Sequence, residues 1–275
     1  MSTVTYGTAS APFLATRCLQ QLFDDEAVNF PEAAKLAKDG FYVDDLITGT
    51  DDIDVALSMQ QDLINMLRKG GFTLRKWSSN HPALLNHLEP EDVERNLLVN
   101  FGNESVIKTL GLLWNSTTDK LMFCMPTNQD PAFKKRSVLR VIASIYDLLG
   151  LLSPSTIQCK RFLQQLWQLK VNWDEPLLSE LQEQWQELQR NLHRIQSIQI
   201  DRLLISKNKL IEIELHGFSD ASEGAYGACI YIRSVDVLGN ISTRFLCSKS
   251  RVAPLKRLSL PRLELCEAML LADMY

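Results

Sequence analysis

No two cysteines in this chain stand at C-x-x-C spacing, and none of its four histidines lies at ligand spacing from one. The six cysteines, Cys18, Cys124, Cys159, Cys229, Cys247 and Cys266, are scattered singly. That excludes a zinc module or a disulfide framework and reads as reduced core thiols in an intracellular protein. No apolar run approaches the length of a membrane span. The first residues lack the basic-then-apolar layout of a secretory leader, so the expectation is a chain that is neither secreted nor membrane-bound. Net charge is small too: −4, with an isoelectric point near 5.7, gives no global field to steer a polyanion. Any nucleic-acid role must therefore rest on local clusters of charge. What remains is the composition of a folded protein, 275 residues at 45% hydrophobic and 23% charged, enough for one to two cores.

The most informative stretch is Phe41-Tyr42-Val43-Asp44-Asp45-Leu46-Ile47, an apolar run interrupted by two adjacent carboxylates and closed by Thr48-Gly49-Thr50. Apolar residues on both sides suit two short strands, with the carboxylate pair at the tip between them. Hard oxygen ligands so placed suit Mg²⁺, which is commonly held by one or two carboxylates and by substrate phosphates. A polar turn has the same composition. Tyr42-Val43-Asp44-Asp45 followed by an amphipathic helix resembles the catalytic hairpin of reverse transcriptases, and the resemblance makes Asp44 and Asp45 metal ligands.

Upstream, a small-residue loop ends at Pro12 and a helical pattern runs from Leu14 to Phe23, with Pro12 suited to the first turn. Gly-x-x-x-x-Pro before a helix is similar to the reverse-transcriptase segment under the incoming nucleotide, which implies that Tyr6 and Gly7 line the nucleotide pocket. Tyr6 stands where glutamine is usual in that family. Downstream, Val55, Met59, Leu63, Ile64 and Leu67 recur at helical spacing and Gly70-Gly71 stops the helix. Phe72 to Trp77 alternates as a strand. By resemblance Lys76 lies beside the triphosphate; a solvated strand charge reads the same way. Residues 80–96 read as a polar excursion, and Val106 to Phe123 as two strands with a turn at Asn115–Lys120. Leu110, Gly111 and Trp114 look like the primer-grip hairpin, although a structural hairpin has the same pattern.

From Phe133 to Trp173 the chain turns basic: Lys134, Lys135, Arg136, Arg140, Lys160, Arg161 and Lys170 are opposed only by Asp147. Val138 to Pro154 reads as helix, Gly150 stop, and a second helix from Ser153-Pro154. Basic helices downstream of a palm suit a thumb that follows the phosphate backbone, or simply a solvated face. Leu177, Leu181, Trp185, Leu188, Leu192 and Ile195 then form the apolar stripe of a connecting helix.

Leu210 to Phe218 alternates as a strand that delivers Asp220 to its end. Gly224 to Arg233 and Ile241 to Ser248 read as two further strands, and Leu260 to Met274 as a helix with Glu264 near its start. This order resembles the opening half of a ribonuclease H fold, and the resemblance implies that Asp220 and Glu264 are that family's first two metal-binding carboxylates. Asp220-Ala221-Ser222 also loosely resembles the Asp-Ser/Thr-Gly of aspartic peptidases, which leaves Glu264 unexplained. His216 reads as a structural strand histidine.

Taken together these segments resemble the Pao/BEL group of retrotransposon polyproteins along essentially the whole chain. The expected fold is α+β: a partial reverse-transcriptase palm over 1–128, a helical thumb and connection over 129–200, and the N-terminal half of an α/β ribonuclease H-like domain over 201–275. The implied function is RNA-directed DNA polymerase with ribonuclease H, using Mg²⁺ or Mn²⁺ in two-metal phosphoryl transfer. The implied partners are RNA template, DNA primer, RNA–DNA hybrid, dNTP and the remainder of the polyprotein, in the cytoplasm or a retroelement particle. No aspartate precedes Asp24, so the palm's first metal-binding strand is missing, and the later ribonuclease H carboxylates would lie beyond Tyr275. Both active sites are therefore expected to be incomplete and the isolated chain inactive. The alternatives are a non-catalytic remnant that binds nucleic acid or protein, and an aspartic-peptidase-like segment.

Overall fold

The computed structural model describes residues 7–94, 106–109, 112–124, 133–205 and 209–275. They form two compact units, one of Met1–Leu110 with Ser116–Thr118, the other of Gly111–Asn115 with Asp119–Tyr275. Among the described residues no helix is long and apolar enough to cross a membrane.

In the first unit three helices, α1 (Ala11–Asp25), α2 (Pro31–Gly40) and α3 (Ile53–Lys69), bury Phe23, Ala33, Ala34, Ala37, Leu63, Met66 and Leu67 together. Pro12 sits in the first turn of α1 as its fixed φ predicts. The α2 helix turns Ala33, Ala34 and Ala37 into this core, with Leu36 packed against it, and the small side chains allow close packing. Asp52 caps α3 by accepting from the Asp54 and Val55 amides at 2.9 and 3.0 Å. At the other end Gly71, at φ +76°, lets the Phe72 amide reach the Leu67 carbonyl at 3.0 Å, a Schellman closure. The expected strand over Phe72–Trp77 does not form. Only Trp77 makes a bridge, to Val93, and Lys76 turns left-handed at φ 57°, so the segment is extended without a ladder. Strand β1 (Phe41–Tyr42) pairs with β2 (Asp45–Leu46), and β3 (Val106–Thr109) follows.

In the second unit β4 (Leu112–Asn115), β5 (Lys120–Met122) and β6 (Gln199–Asp201) pair antiparallel. Three helices, α4 (Lys135–Ala143), α5 (Ser153–Gln168) and α6 (Ser179–Arg194), pack through Val138, Phe162, Leu166, Leu181 and Trp185, with Phe162 and Trp185 stacked at 5.6 Å. Helix α6 buries the predicted stripe at Leu181, Trp185 and Leu192. The α4 helix stops at Ala143, well before Gly150. Beyond it the Asp147 carboxylate accepts from the Leu152 amide at 2.9 Å, a local bond that competes with helix, and burial pushes that carboxyl up. The loop docks on a long strand instead: the Ser248 amide donates to the Leu149 carbonyl at 2.9 Å and the Ser248 hydroxyl to the Gly150 carbonyl.

That strand is β9 (Ile241–Val252), the edge of a three-stranded antiparallel sheet in the order β7 (Leu210–Ala221), β8 (Ala225–Asp236), β9. Helix α7 (Leu260–Ala272) lies on β7 and β8, burying Leu263 and Leu270 over Ala228, Ile230 and Ile232. Gly217 is obligatory beneath it, since a Cβ there would meet Leu271 and Tyr275 at 2.8 Å. The described cysteines are all free. Cys159 is buried, its thiol pushed up to about 11, but Cys18 and Cys124 are exposed, against the expectation that all six are core thiols.

Candidate active site

Alternation along β7 sends Gly217 and Ser219 toward α7 and Phe218 and Asp220 to the opposite face. On α7, the Ser219 hydroxyl donates to Glu267 Oε1 at 3.4 Å. Glu267 Oε2 is shielded from solvent and has no hydrogen-bond partner among the described residues. Burial holds the Glu267 carboxyl above the ordinary carboxylate range, the Ser219 bond partly offsets this, and the charges of Asp220 and Glu264 raise it further. The end of β7 and the first turns of α7 thus bring Asp220 and Glu264 each within electrostatic reach of Glu267. Asp220 and Glu264 are both exposed. Glu267 was not apparent from spacing, although it lies one helical turn after Glu264 on the same helix, which is the available signal.

Asp220 also opens onto a cleft of about 560 Å³ on the face away from α7, bounded by Pro154 and Ile157 of α5. Its floor is aromatic: Phe218 meets Tyr231 edge-on at 6.0 Å and Tyr231 meets Phe245 at 5.2 Å. Farther along this face Arg233 bridges Glu214 at 2.7 Å and Glu212 at 3.3 Å, and His216 lies 3.2 Å from Glu214. His216 is therefore a member of a surface ion cluster.

In the first unit Asp44 and Asp45 are adjacent and exposed, Asp44 in a two-residue turn and Asp45 at the start of β2. Val43 occupies the left-handed region at φ 59°, where a β-branched residue is strained. Gly7, at φ 81°, has open space where a side chain would stand, and Lys76 is exposed. Tyr6, Leu110 and Gly111 lie outside the described residues. Trp114 donates its indole N–H to Asp119 at 3.0 Å, and Arg202 grips the same carboxylate at 2.6 and 2.9 Å while lying over the ring. Trp114 thus braces the β4–β5 hairpin.

The basic segment is not one free face. Lys135 is buried, its ammonium 3.9 Å from the Trp167 ring centre and donating to the Val171 carbonyl at 3.2 Å. Arg136 is paired with Asp174 at 2.9 Å. Lys160 donates to the Ser250 carbonyl at 3.3 Å, and Arg161 lies against Gly224 in the turn after Asp220.

Among the described residues no group of three histidine, cysteine, aspartate or glutamate side chains closes into a metal cage. The donors near the end of β7 are nonetheless hard carboxylate oxygens, and the charges of Asp220 and Glu264 both raise the Glu267 carboxyl. Mg²⁺ needs only one or two such groups when phosphate and water complete its shell, so the donor set fits.

Comparison with known families places residues 134–275 within the model of the Pao retrotransposon-like RNaseH-like domain. No curated protein matches the chain.

Proposed function

Because the chain belongs to the Pao retrotransposon-like RNaseH-like family, we propose that the carboxylates at the end of β7 hydrolyse the RNA strand of an RNA–DNA hybrid. The observation that carries this is the Ser219–Glu267 contact that docks α7 on the end of β7, with Asp220 and Glu264 each within electrostatic reach of Glu267. Asp220 and Glu264 would hold Mg²⁺ or Mn²⁺, which lowers the pKa of bound water and stabilises the leaving oxygen when bound. Water adds to phosphorus, the bridging P–O bond breaks, and the departing oxygen takes up a proton. Asp220 and Glu264 stand on different elements, so packing of α7 on β7 sets their separation. Glu267 holds Ser219 and thereby the strand end. Mn²⁺ titration by calorimetry, read beside hybrid cleavage, tests the assignment. Asp220→Asn and Glu264→Gln should each weaken Mn²⁺ by about tenfold or more. Unchanged Mn²⁺ affinity in both would refute it.

A second reading concerns the first unit. The tight hairpin carrying Asp44 and Asp45, with Val43 held at φ 59°, supports a palm hairpin of an RNA-directed DNA polymerase acting on RNA template, DNA primer and dNTP, since backbone strain of this kind clusters at functional sites. Primer extension by the polyprotein should be abolished by Asp44→Asn combined with Asp45→Asn; extension that survives the double change removes the reading.

A further inference from the structure

The tryptophans of the second unit divide into two kinds. Trp185 is 2% exposed and stacked on Phe162, and Trp114 donates its indole N–H to Asp119. Trp167 and Trp173 instead stay 42% and 43% exposed, and neither indole N–H has a hydrogen-bond partner among the described residues. The end of α5 brings these two together. The Val171 amide reaches the Leu166 carbonyl at 3.3 Å and the Lys170 amide the Trp167 carbonyl at 3.1 Å, the paired bonds of a Schellman turn. That turn needs a left-handed residue, usually glycine, and here it is Lys170 at φ 53°. Trp173 thereby folds back edge-on to Trp167, ring centres 5.6 Å apart at 87°. From α4, the Lys135 ammonium lies 3.9 and 5.0 Å from the two centres and the Arg136 guanidinium 5.8 Å from that of Trp173, which holds both rings in place. Residues 134–140 and 167–175 carry Lys134, Lys135, Arg136, Arg140 and Lys170 against Asp174, already paired with Arg136, and Glu175. Arg140, one turn after Arg136, and Lys170 are exposed, and their side chains make no ion pair or hydrogen bond among the described residues.

We propose that Trp167 and Trp173 form a stacking platform for the unpaired bases of a single nucleic-acid strand, drawn in by the cations of the two flanking segments. The platform is independent of any metal at the carboxylates on β7 and α7. Every base has a π-face, so stacking reads unpaired strand and not sequence, and the surrounding positive charge matches a polyanion. Rings already fixed by Lys135 lose little freedom when a base arrives. The competing role is a brace between α4 and α5, which predicts no preference for bases.

The experiment is fluorescence anisotropy of the full chain, without divalent metal, with labelled probes of about 12 nucleotides: oligo(dT), oligo(U) and an abasic deoxyribose-phosphate strand of equal charge. Stacking contributes roughly 5- to 150-fold per base, so the base-bearing strands should bind at least about tenfold tighter than the abasic one. Tighter binding of oligo(U) than of oligo(dT) assigns the platform to RNA, and the reverse to DNA. Trp167→Leu with Trp173→Leu should erase the preference for bases, and Trp167→Phe with Trp173→Phe, which keeps two rings, should retain most of it. Arg140→Gln with Lys170→Gln should lower the salt slope by about 1.4 for every probe and leave the preference intact. Photocross-linking of a 5-iodouracil strand needs no variant and should map to Trp167 or Trp173. Equal affinity for base-bearing and abasic strands, or cross-links confined to other residues, overturns the proposal.

Discussion

Gly150→Ala tests whether the loop after α4 is locked onto the sheet that carries Asp220. Gly150 sits at φ +70°, and a Cβ there would overlap the Ser248 carbonyl oxygen. The left-handed backbone costs an L-residue about 1–2 kcal/mol. To escape the overlap the loop must lift, losing the Ser248 amide bond to Leu149 and the Ser248 hydroxyl bond to Gly150, about 1 kcal/mol each. The sum is about 3–4 kcal/mol. With a urea slope of about 2 kcal/mol per molar, the unfolding midpoint of the second unit should fall by roughly 1.5–2 M. Tryptophan emission follows this, since Trp114, Trp167, Trp173 and Trp185 all lie in that unit. Gly239→Ala is the internal control. Gly239 also has positive φ, +80°, but nothing lies within 4 Å of a Cβ there. It should therefore cost only the backbone strain, about 1–2 kcal/mol. Equal shifts for the two variants would refute the docking of the loop on β9.

Three further outcomes follow from particular contacts. Lys135→Met removes an ammonium held between Trp167 and Trp173 and strips the Val171 carbonyl of its donor; urea unfolding should show a loss of about 2–3 kcal/mol, and a gain would mean that burying the charge outweighs the rings. Glu267 has its folded pKa raised, first by burial, so ionisation penalises the native state as pH rises through that value. Glu267→Gln should stabilise the protein at pH 7, with the difference vanishing below about pH 4, where the carboxyl is protonated folded or unfolded; a pH series of thermal melts decides this. Val43→Asn relieves a β-branched residue at φ 59° and should stabilise the first unit by up to about 1 kcal/mol; no change in its hydrogen-exchange protection would show the hairpin unstrained.

The parts legible in the sequence are those where one residue pattern maps onto one local geometry. Alternation from Leu210 and from Gly224 produced β7 and β8 with Asp220 at a strand end, because side chains on a pleat alternate whatever lies above them. Likewise, Gly70-Gly71 ended α3 and the Leu181–Leu192 stripe faced the core. Features that depend on distant partners were not legible. The α2 helix rests on alanines whose burial only α1 and α3 create, and Phe72–Trp77 alternates without a strand to pair with. Lys135 read as a surface cation until Trp167 and Trp173 enclosed it. The same division holds at the candidate site. Asp220 and Glu264 stood out through the resemblance to ribonuclease H, whereas Glu267 gained significance only when α7 packed on β7 and placed its carboxyl over Ser219. Local periodicity thus determined which residues could act, and long-range packing decided which carboxylates and cations stand together, because the position of a charge is set by the element it packs against and not by its neighbours in the chain.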